Sequence, residues 1–196
     1  MNDTPALLWH PRTYRLIGII AAMICAMVAV SCTRVPDGIV PVSDFEISRY
    51  LGTWHEIMRL DHRFERGLTN VTATYALEED GTVSVVNRGL DRENCEWSSV
   101  EGYAEFISAR EIGSLAVTFF WPVSGGYHIF ALDKDNYQWA AVSGPSRDYL
   151  WILARKPDLD ASIRTQLVEK AGSLGFPVDD LIEVEHYPAD CRPRGS

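Results

Sequence analysis

Short stretches in which apolar residues take every second position recur along the chain between residues 52 and 155. They are Gly52–Leu60, Thr69–Leu77, Thr82–Arg88, Trp97–Phe106, Leu115–Trp121, Tyr127–Asp133, Gln138–Ser143 and Tyr149–Arg155. A period of two puts alternate side chains on opposite faces of a strand. In the second stretch Val71, Ala73 and Tyr75 alternate with Asn70, Thr72 and Thr74. In the fifth, Leu115, Val117 and Phe119 oppose Ala116, Thr118 and Phe120; in the eighth, Tyr149, Trp151 and Leu153 share a side. Turn signals separate the stretches: Glu79-Asp80-Gly81, Ser124-Gly125-Gly126, Asp133–Asn136 and Gly144-Pro145-Ser146. Strands so short and evenly spaced predict an all-β meander, as a barrel or a sandwich. After them Leu159, Ile163, Leu167 and Ala171 recur every four residues, which predicts one helix from Asp158, as N-cap, to about Leu174, stopped by Gly175. A last short strand is expected over Leu181–Glu185.

The N-terminal pattern is different. Residues 16–30 are apolar or small and uncharged, Arg12 and Arg15 precede them, and Ser31-Cys32 follows. That is the layout of an export signal, too short to span a bilayer at roughly 20 residues. Ala29-Val30-Ser31-Cys32 resembles the lipobox of bacterial lipoproteins, with Ala29 where leucine is usual. The resemblance implies a signal over 1–31 and acylation of Cys32, with chains such as palmitate. Two or three chains, at about 0.8 kcal/mol per buried CH₂, anchor a protein stably. By resemblance to enterobacterial sorting, Thr33 in place of an aspartate implies the outer membrane, with the domain facing the periplasm. Residues 32–43, with Pro36, Gly38 and Pro41, read as a tether, and 44–196 as one domain with its helix and tail.

Charge narrows the classes. The whole chain carries −9, and the signal's Arg12, Arg15 and Asp3 sum to +1, which leaves −10 on the mature part. An acidic domain without a basic cluster is poorly suited to nucleic acid. Beyond Cys32 and the signal's Cys25 only Cys95 and Cys191 remain, a disulfide candidate in an exported chain or else two free thiols.

Enzyme chemistry finds little footing. His55-Glu56 begins like a zinc-protease helix, but Arg59 stands where the second histidine belongs, on a segment read as a strand. There is no G-x-S-x-G elbow. His62 follows Asp61 without an evident nucleophile, Asp133 and Asp135 sit in a turn, and Asn70-Val71-Thr72 fits a glycosylation pattern without use behind a lipobox. No metal or cofactor is expected.

Gly52-Thr53-Trp54, after Phe45 and Tyr50, is similar to the G-x-W signature of lipocalins. Ala131-Leu132-Asp133 with Tyr137, and Arg155 closing Trp151-Ile152-Leu153-Ala154-Arg155, are similar to that family's second and third signatures. Residues 61–68 and 144–153 resemble the bacterial outer-membrane lipocalins, relatives of apolipoprotein D, and Trp121 departs from their small residue. The resemblance, over about 44–188, implies an eight-stranded antiparallel up-and-down barrel with the helix packed outside. It implies that Trp54 plugs the closed end under Arg155, and that Cys95 is bridged to Cys191.

Carrying the family's inward parity onto this chain gives an expected lining of Met58, Tyr75, Val83, Val85, Val117, Phe119, Tyr127, Ile129 and Trp151, with Glu56 and Asn87 as inward polar groups. The implied ligand is a fatty acid or lysophospholipid, stored or transported in the envelope, and a homodimer is admitted. Two other readings stay open: a structural or interaction lipoprotein with a filled barrel, and a lipid-modifying enzyme on the same fold.

Overall fold

The computed structural model describes residues 32–187; the signal segment 1–31 and Cys191 lie outside them. After a one-turn helix α1 (Ile47–Tyr50) the chain forms eight antiparallel strands in sequence order. They are β1 (Gly52–Arg59), β2 (Leu68–Leu77), β3 (Val83–Asp91), β4 (Glu96–Phe106), β5 (Ser114–Phe120), β6 (Val123–Leu132), β7 (Trp139–Ser143) and β8 (Leu150–Ala154). Each pairs with the next, and β1 pairs with both β2 and β8, which closes the barrel. Closure pairs the two edge strands of the meander at the floor end.

Direction along the strands defines two ends. The loops 60–67, 92–95, 121–122 and 144–149 lie at one end, the mouth; 78–82, 107–113 and 133–138 lie at the other, the floor, with α1. On the mouth side β1 and β2 separate, since their register covers only Gly52–His55 of β1. The C-terminal segment fills that seam. Strand β9 (Ile182–Glu183) pairs with Met58 and Arg59, and Asn70 donates its backbone N–H to the Glu185 carbonyl at 2.9 Å. Asn70 also donates from Nδ2 to the Tyr187 carbonyl, so its side chain docks the tail.

Two apolar layers result. The inner one gathers Phe45, Tyr50, Trp54, Tyr75, Val83, Val85, Ile129 and Leu153 among others. The outer one lies between the barrel wall and helix α2 (Ala161–Ser173), where Leu167 and Ala171 meet Ile57, Phe130 and Ile152. Helix α2 follows the expected four-residue pattern but starts later. Its N-cap is Asp160, not Asp158: Asp160 Oδ1 accepts from the Ser162 N–H at 2.8 Å. Either aspartate can cap a helix; here the cap is Asp160.

Two further expectations are corrected. Ser124-Gly125-Gly126 is not a break, because the hairpin turns at Trp121-Pro122 and both glycines pair within β6. Gly126 is there for space: a Cβ would lie 2.5 Å from His128 Nε2 and 3.3 Å from the Thr33 carbonyl. A glycine inside a strand often marks such close approach. The segment read as a tether is also not free. Ile39 is buried in the outer layer, His128 Nε2 lies 3.1 Å from the Arg34 carbonyl, and Val42 donates its N–H to the Ile129 carbonyl at 2.8 Å. Its apolar positions, Val35, Ile39 and Val42, hold it on the barrel.

Candidate functional site

The site is the inside of the barrel, and its floor is built first. Trp54 is fully buried and donates from Nε1 to the Tyr50 carbonyl at 2.8 Å. The Arg155 guanidinium lies 4.0 Å from the Trp54 ring centroid, a cation–π contact. The same group donates to the carbonyls of Tyr137, Thr53 and Arg49, at 3.2, 3.0 and 2.7 Å. Gly52 permits the turn of chain into β1, with φ of 91°; only glycine adopts that region without cost.

Above the floor three tyrosine hydroxyls converge. Tyr75 donates to Tyr127 at 3.0 Å, and the Tyr50 and Tyr127 hydroxyls are 2.7 Å apart. Burial pushes the pKa of each of the three phenols upward, so they stay neutral hydrogen-bonding groups. Around them stand Val83, Val85 and Ile129, sealed, and Val117, Phe119 and Trp151, half-buried against the inner layer as the Tyr127 ring is. The lower barrel is thus tightly packed, and the less covered wall lies toward the mouth.

Eight of the nine expected lining residues therefore face inward. Met58 does not. Strand β1 carries a bulge in which Glu56 opposes Leu153 and Met58 opposes Ile152, so Ile57 is the extra residue. A bulge of this kind reverses the parity beyond it. Met58 accordingly packs with Ile57 in the outer layer. Arg59 takes the inward place beside Trp151, its partner across the β1–β8 ladder.

That reversal assembles a buried charge cluster that parity alone could not reveal. Arg59, 2 % exposed, donates from Nη1 to Glu56 Oε1 at 2.9 Å and from Nη2 to the Glu65 carbonyl at 2.7 Å. Its Nε lies 3.9 Å from Glu65 Oε2, which accepts from Trp151 Nε1 at 3.2 Å. Two carboxylates share one cation out of water, so one proton is retained. Burial, then the neighbouring Glu65, push Glu56 up to about 8 despite Arg59; burial raises Glu65 as well. Two inward polar atoms have no hydrogen-bond partner among the described residues: Arg59 Nε and Asn87 Oδ1. Asn87 continues the inward parity of Val83 and Val85.

At the mouth His62 stacks on Phe64 and Tyr149, with ring centroids 5.3 and 4.8 Å away. Burial, and the Arg59 charge after it, hold its pKa down at about 4, so the ring is neutral. His55 and His186 meet edge to face on the outer wall, at a pocket of about 170 Å³ that Asn70, Thr72, Arg88 and Trp97 complete. Among the described residues no group of three or more His, Cys, Asp or Glu is placed to hold a metal.

The comparisons with known proteins agree with this geometry. The Lipocalin-like domain family matches residues 45–186. The chain belongs to the lipocalin family. It is 44% identical over 163 residues to outer membrane lipoprotein Blc of Vibrio cholerae, covering 83% of this chain and 95% of that one. To the Blc of Escherichia coli K12 it is 44% identical over 173 residues, 87% and 97% of the two chains. Bovine apolipoprotein D is 34% identical over 150 residues, 72% and 77%. Among solved structures, insecticyanin of the tobacco hornworm superposes with a TM-score of 0.64 at 20% identity, over 83% and 92%. The Blc relatives place this lipocalin with the outer-membrane lipoproteins.

The cluster makes a pH prediction. The folded protein keeps a Glu56 proton that the unfolded chain loses between its ordinary 4.5 and about 8, so stability falls as pH rises through that window. Arg59, Glu65 and Tyr75 are the ionisable groups facing it. The lowered pKa values of His55, His62 and His128 act oppositely, but only below their ordinary 6.5. Between about pH 6.5 and 8 the melting temperature should therefore fall, and Glu56→Gln should flatten that slope. An unchanged slope in the variant would show that Glu56 is ionised in the folded barrel.

Proposed function

We propose that this lipocalin is a membrane-anchored carrier that stores or transports fatty acids or lysophospholipids in the bacterial envelope. The observation that carries the reading is a pair of inward polar atoms without a hydrogen bond, Arg59 Nε, 3.9 Å from Glu65 Oε2, and Asn87 Oδ1, beside a largely apolar inner layer. A buried polar atom without a partner costs about 1–3 kcal/mol. A ligand with a polar head and an acyl chain meets both halves of that arrangement. Its chain contributes about 0.8 kcal/mol per CH₂ removed from water. Val117, Phe119, Trp151 and the Tyr127 ring are the wall it would lie against, with the tyrosine hydroxyls below. Trp54 is the floor beneath the ligand rather than a contact.

Lysophospholipid added at micromolar concentration should raise the melting temperature and change the Trp151 emission. A ligand at one hundred times its Kd adds about 2.7 kcal/mol of stability. Asn87→Leu should weaken the response to the headgroup-bearing lipid more than Val117→Ala does. No response in either melting or emission ends the reading.

Cys32, the free half-buried cysteine of the described residues, is the proposed acylation site. Cys95 sits at the β3–β4 turn in a left-handed conformation, φ 54°, and is proposed to bridge to Cys191, which follows in sequence the segment that docks on Asn70. Closing a loop of near 100 residues contributes up to roughly 4–5 kcal/mol. Peptide mapping without reductant should yield the two cysteines in one linked fragment, and reductant should lower the melting temperature. Alkylation of both residues without reduction would rule the bridge out.

A further inference from the structure

Val40 on the N-terminal segment apart, at 77 % exposure, the most exposed large apolar side chains gather at one end of the barrel. Phe120, Trp121 and Val123, at 74, 80 and 65 % exposure, form the β5–β6 hairpin tip, and Phe64, at 62 %, stands on the β1–β2 loop. All four belong to the mouth. At the floor the corresponding values are lower, 45 % for Leu77 and 44 % for Ile107. The hairpin is also unlike the rest of an acidic chain. From Ile112 to Leu132 there is no Asp, Glu, Lys or Arg. A solvent-facing tip gains nothing from that composition, whereas tryptophan and neighbouring apolar residues are the usual occupants of a membrane–water interface.

The position of the anchor residue is the second, independent observation. The Thr33 carbonyl lies against Gly126, and the Arg34 carbonyl against His128, on the outer wall of β6. The chain then runs past the β7–β8 mouth loop, where Arg147 Nη2 donates to the Asp37 carbonyl at 2.5 Å. Gly126 is three residues from Val123, about 10 Å at the rise of a strand. Cys32 is thereby held at the same end of the barrel as the apolar tip, with no free tether to let the barrel turn over.

We propose that the barrel docks mouth-first on the bilayer that holds its anchor, with Phe120, Trp121 and Val123 buried in the interfacial layer. The proposal rests on the reading that Cys32 is acylated. It places the opening of the ligand site against lipid, so that an acyl chain can pass between membrane and barrel without crossing water.

The test uses the full lipidated protein in vesicles of phosphatidylethanolamine and phosphatidylglycerol carrying brominated acyl chains. The emission of the protein minus that of Trp121→Phe isolates Trp121 from the other tryptophans. Expected is a difference emission that is blue-shifted on vesicles and loses most of its intensity when the bromines lie close to the headgroups. Trp121→Phe should melt as the parent does. A difference emission that stays water-like and unquenched overturns the proposal. So does one already blue-shifted without vesicles, in step with dimer formation by light scattering, since the tip is then covered by a second copy. Intact mass reports Cys32 acylation separately. A missing acyl mass refutes the anchor reading, and with it the mouth-first docking argued from it, even if added vesicles quench the tip.

Discussion

Arg59→Ala should lose about 3–5 kcal/mol of folding free energy, the cost typical of removing one partner from a buried ion pair. The alanine leaves Glu56 and Glu65 facing each other, 4 % and 7 % exposed, with no cation between them. Both must then protonate or draw water into the upper barrel, so the loss should be greater at pH 8 than at pH 5.5. For a domain of this size a loss of that order lowers the melting temperature by on the order of 10 °C. Replacing the whole cluster is a different experiment. Arg59→Met with Glu56→Gln and Glu65→Gln removes every charge together and should recover most of the loss, since buried pairs exchanged for neutral groups of similar volume are often tolerated. Thermal unfolding of the three proteins at the two pH values decides the matter. If Arg59→Ala melts within a degree or two of the parent, the cluster is solvated and the account of its pKa values fails with it.

The same cluster shows where the sequence stops being readable. Glu56 and Arg59 are three apart on a strand, so simple alternation puts them on opposite faces. They meet only because Ile57 bulges out of the ladder, and a bulge leaves no compositional mark in Gly52–Leu60. The wall residues on uninterrupted ladders fared better. Tyr75, Val83, Val85 and Trp151 face inward because period-two alternation runs unbroken through each of them, and Val117 and Phe119 do so although the β5–β6 register slips between Val117 and Phe120. Other differences had a visible but ambiguous signal. Asp158 and Asp160 are both acceptable caps, and the four-residue pattern does not choose between them. Gly125-Gly126 reads as a turn in isolation, since the sequence does not show that His128 and the Thr33 carbonyl crowd the space over Gly126. The N-terminal segment carries Val35, Ile39 and Val42 among its prolines and glycine, enough apolar surface to dock once a barrel wall exists. The proposal of lipid binding comes only through the family signatures, because neither alternation nor charge fixes how much of a barrel is empty.

Trp54→Ala is the second large effect, and it should act on folding without acting on ligand contacts. The indole is fully buried at the floor, packed 4.6 Å from Tyr50 between ring centroids, and under the Arg155 guanidinium. Truncating a buried tryptophan costs about 3–5 kcal/mol through lost transfer and the cavity left behind. The cation–π contact adds roughly 0.5–2 kcal/mol. The Tyr50 carbonyl loses its donor as well, and Arg155, which ties together Arg49, Thr53 and Tyr137, loses the surface that orients it. Trp54→Phe keeps the ring face and most of the volume, so it should retain the larger part of the stability while releasing the Tyr50 carbonyl. Urea unfolding of both variants gives the two costs. Lysophospholipid affinity measured on Trp54→Phe should match the parent, because the ligand wall lies above the tyrosine hydroxyls. A clear loss of affinity in that variant would mean that the acyl chain reaches the floor and that Trp54 is part of the binding surface.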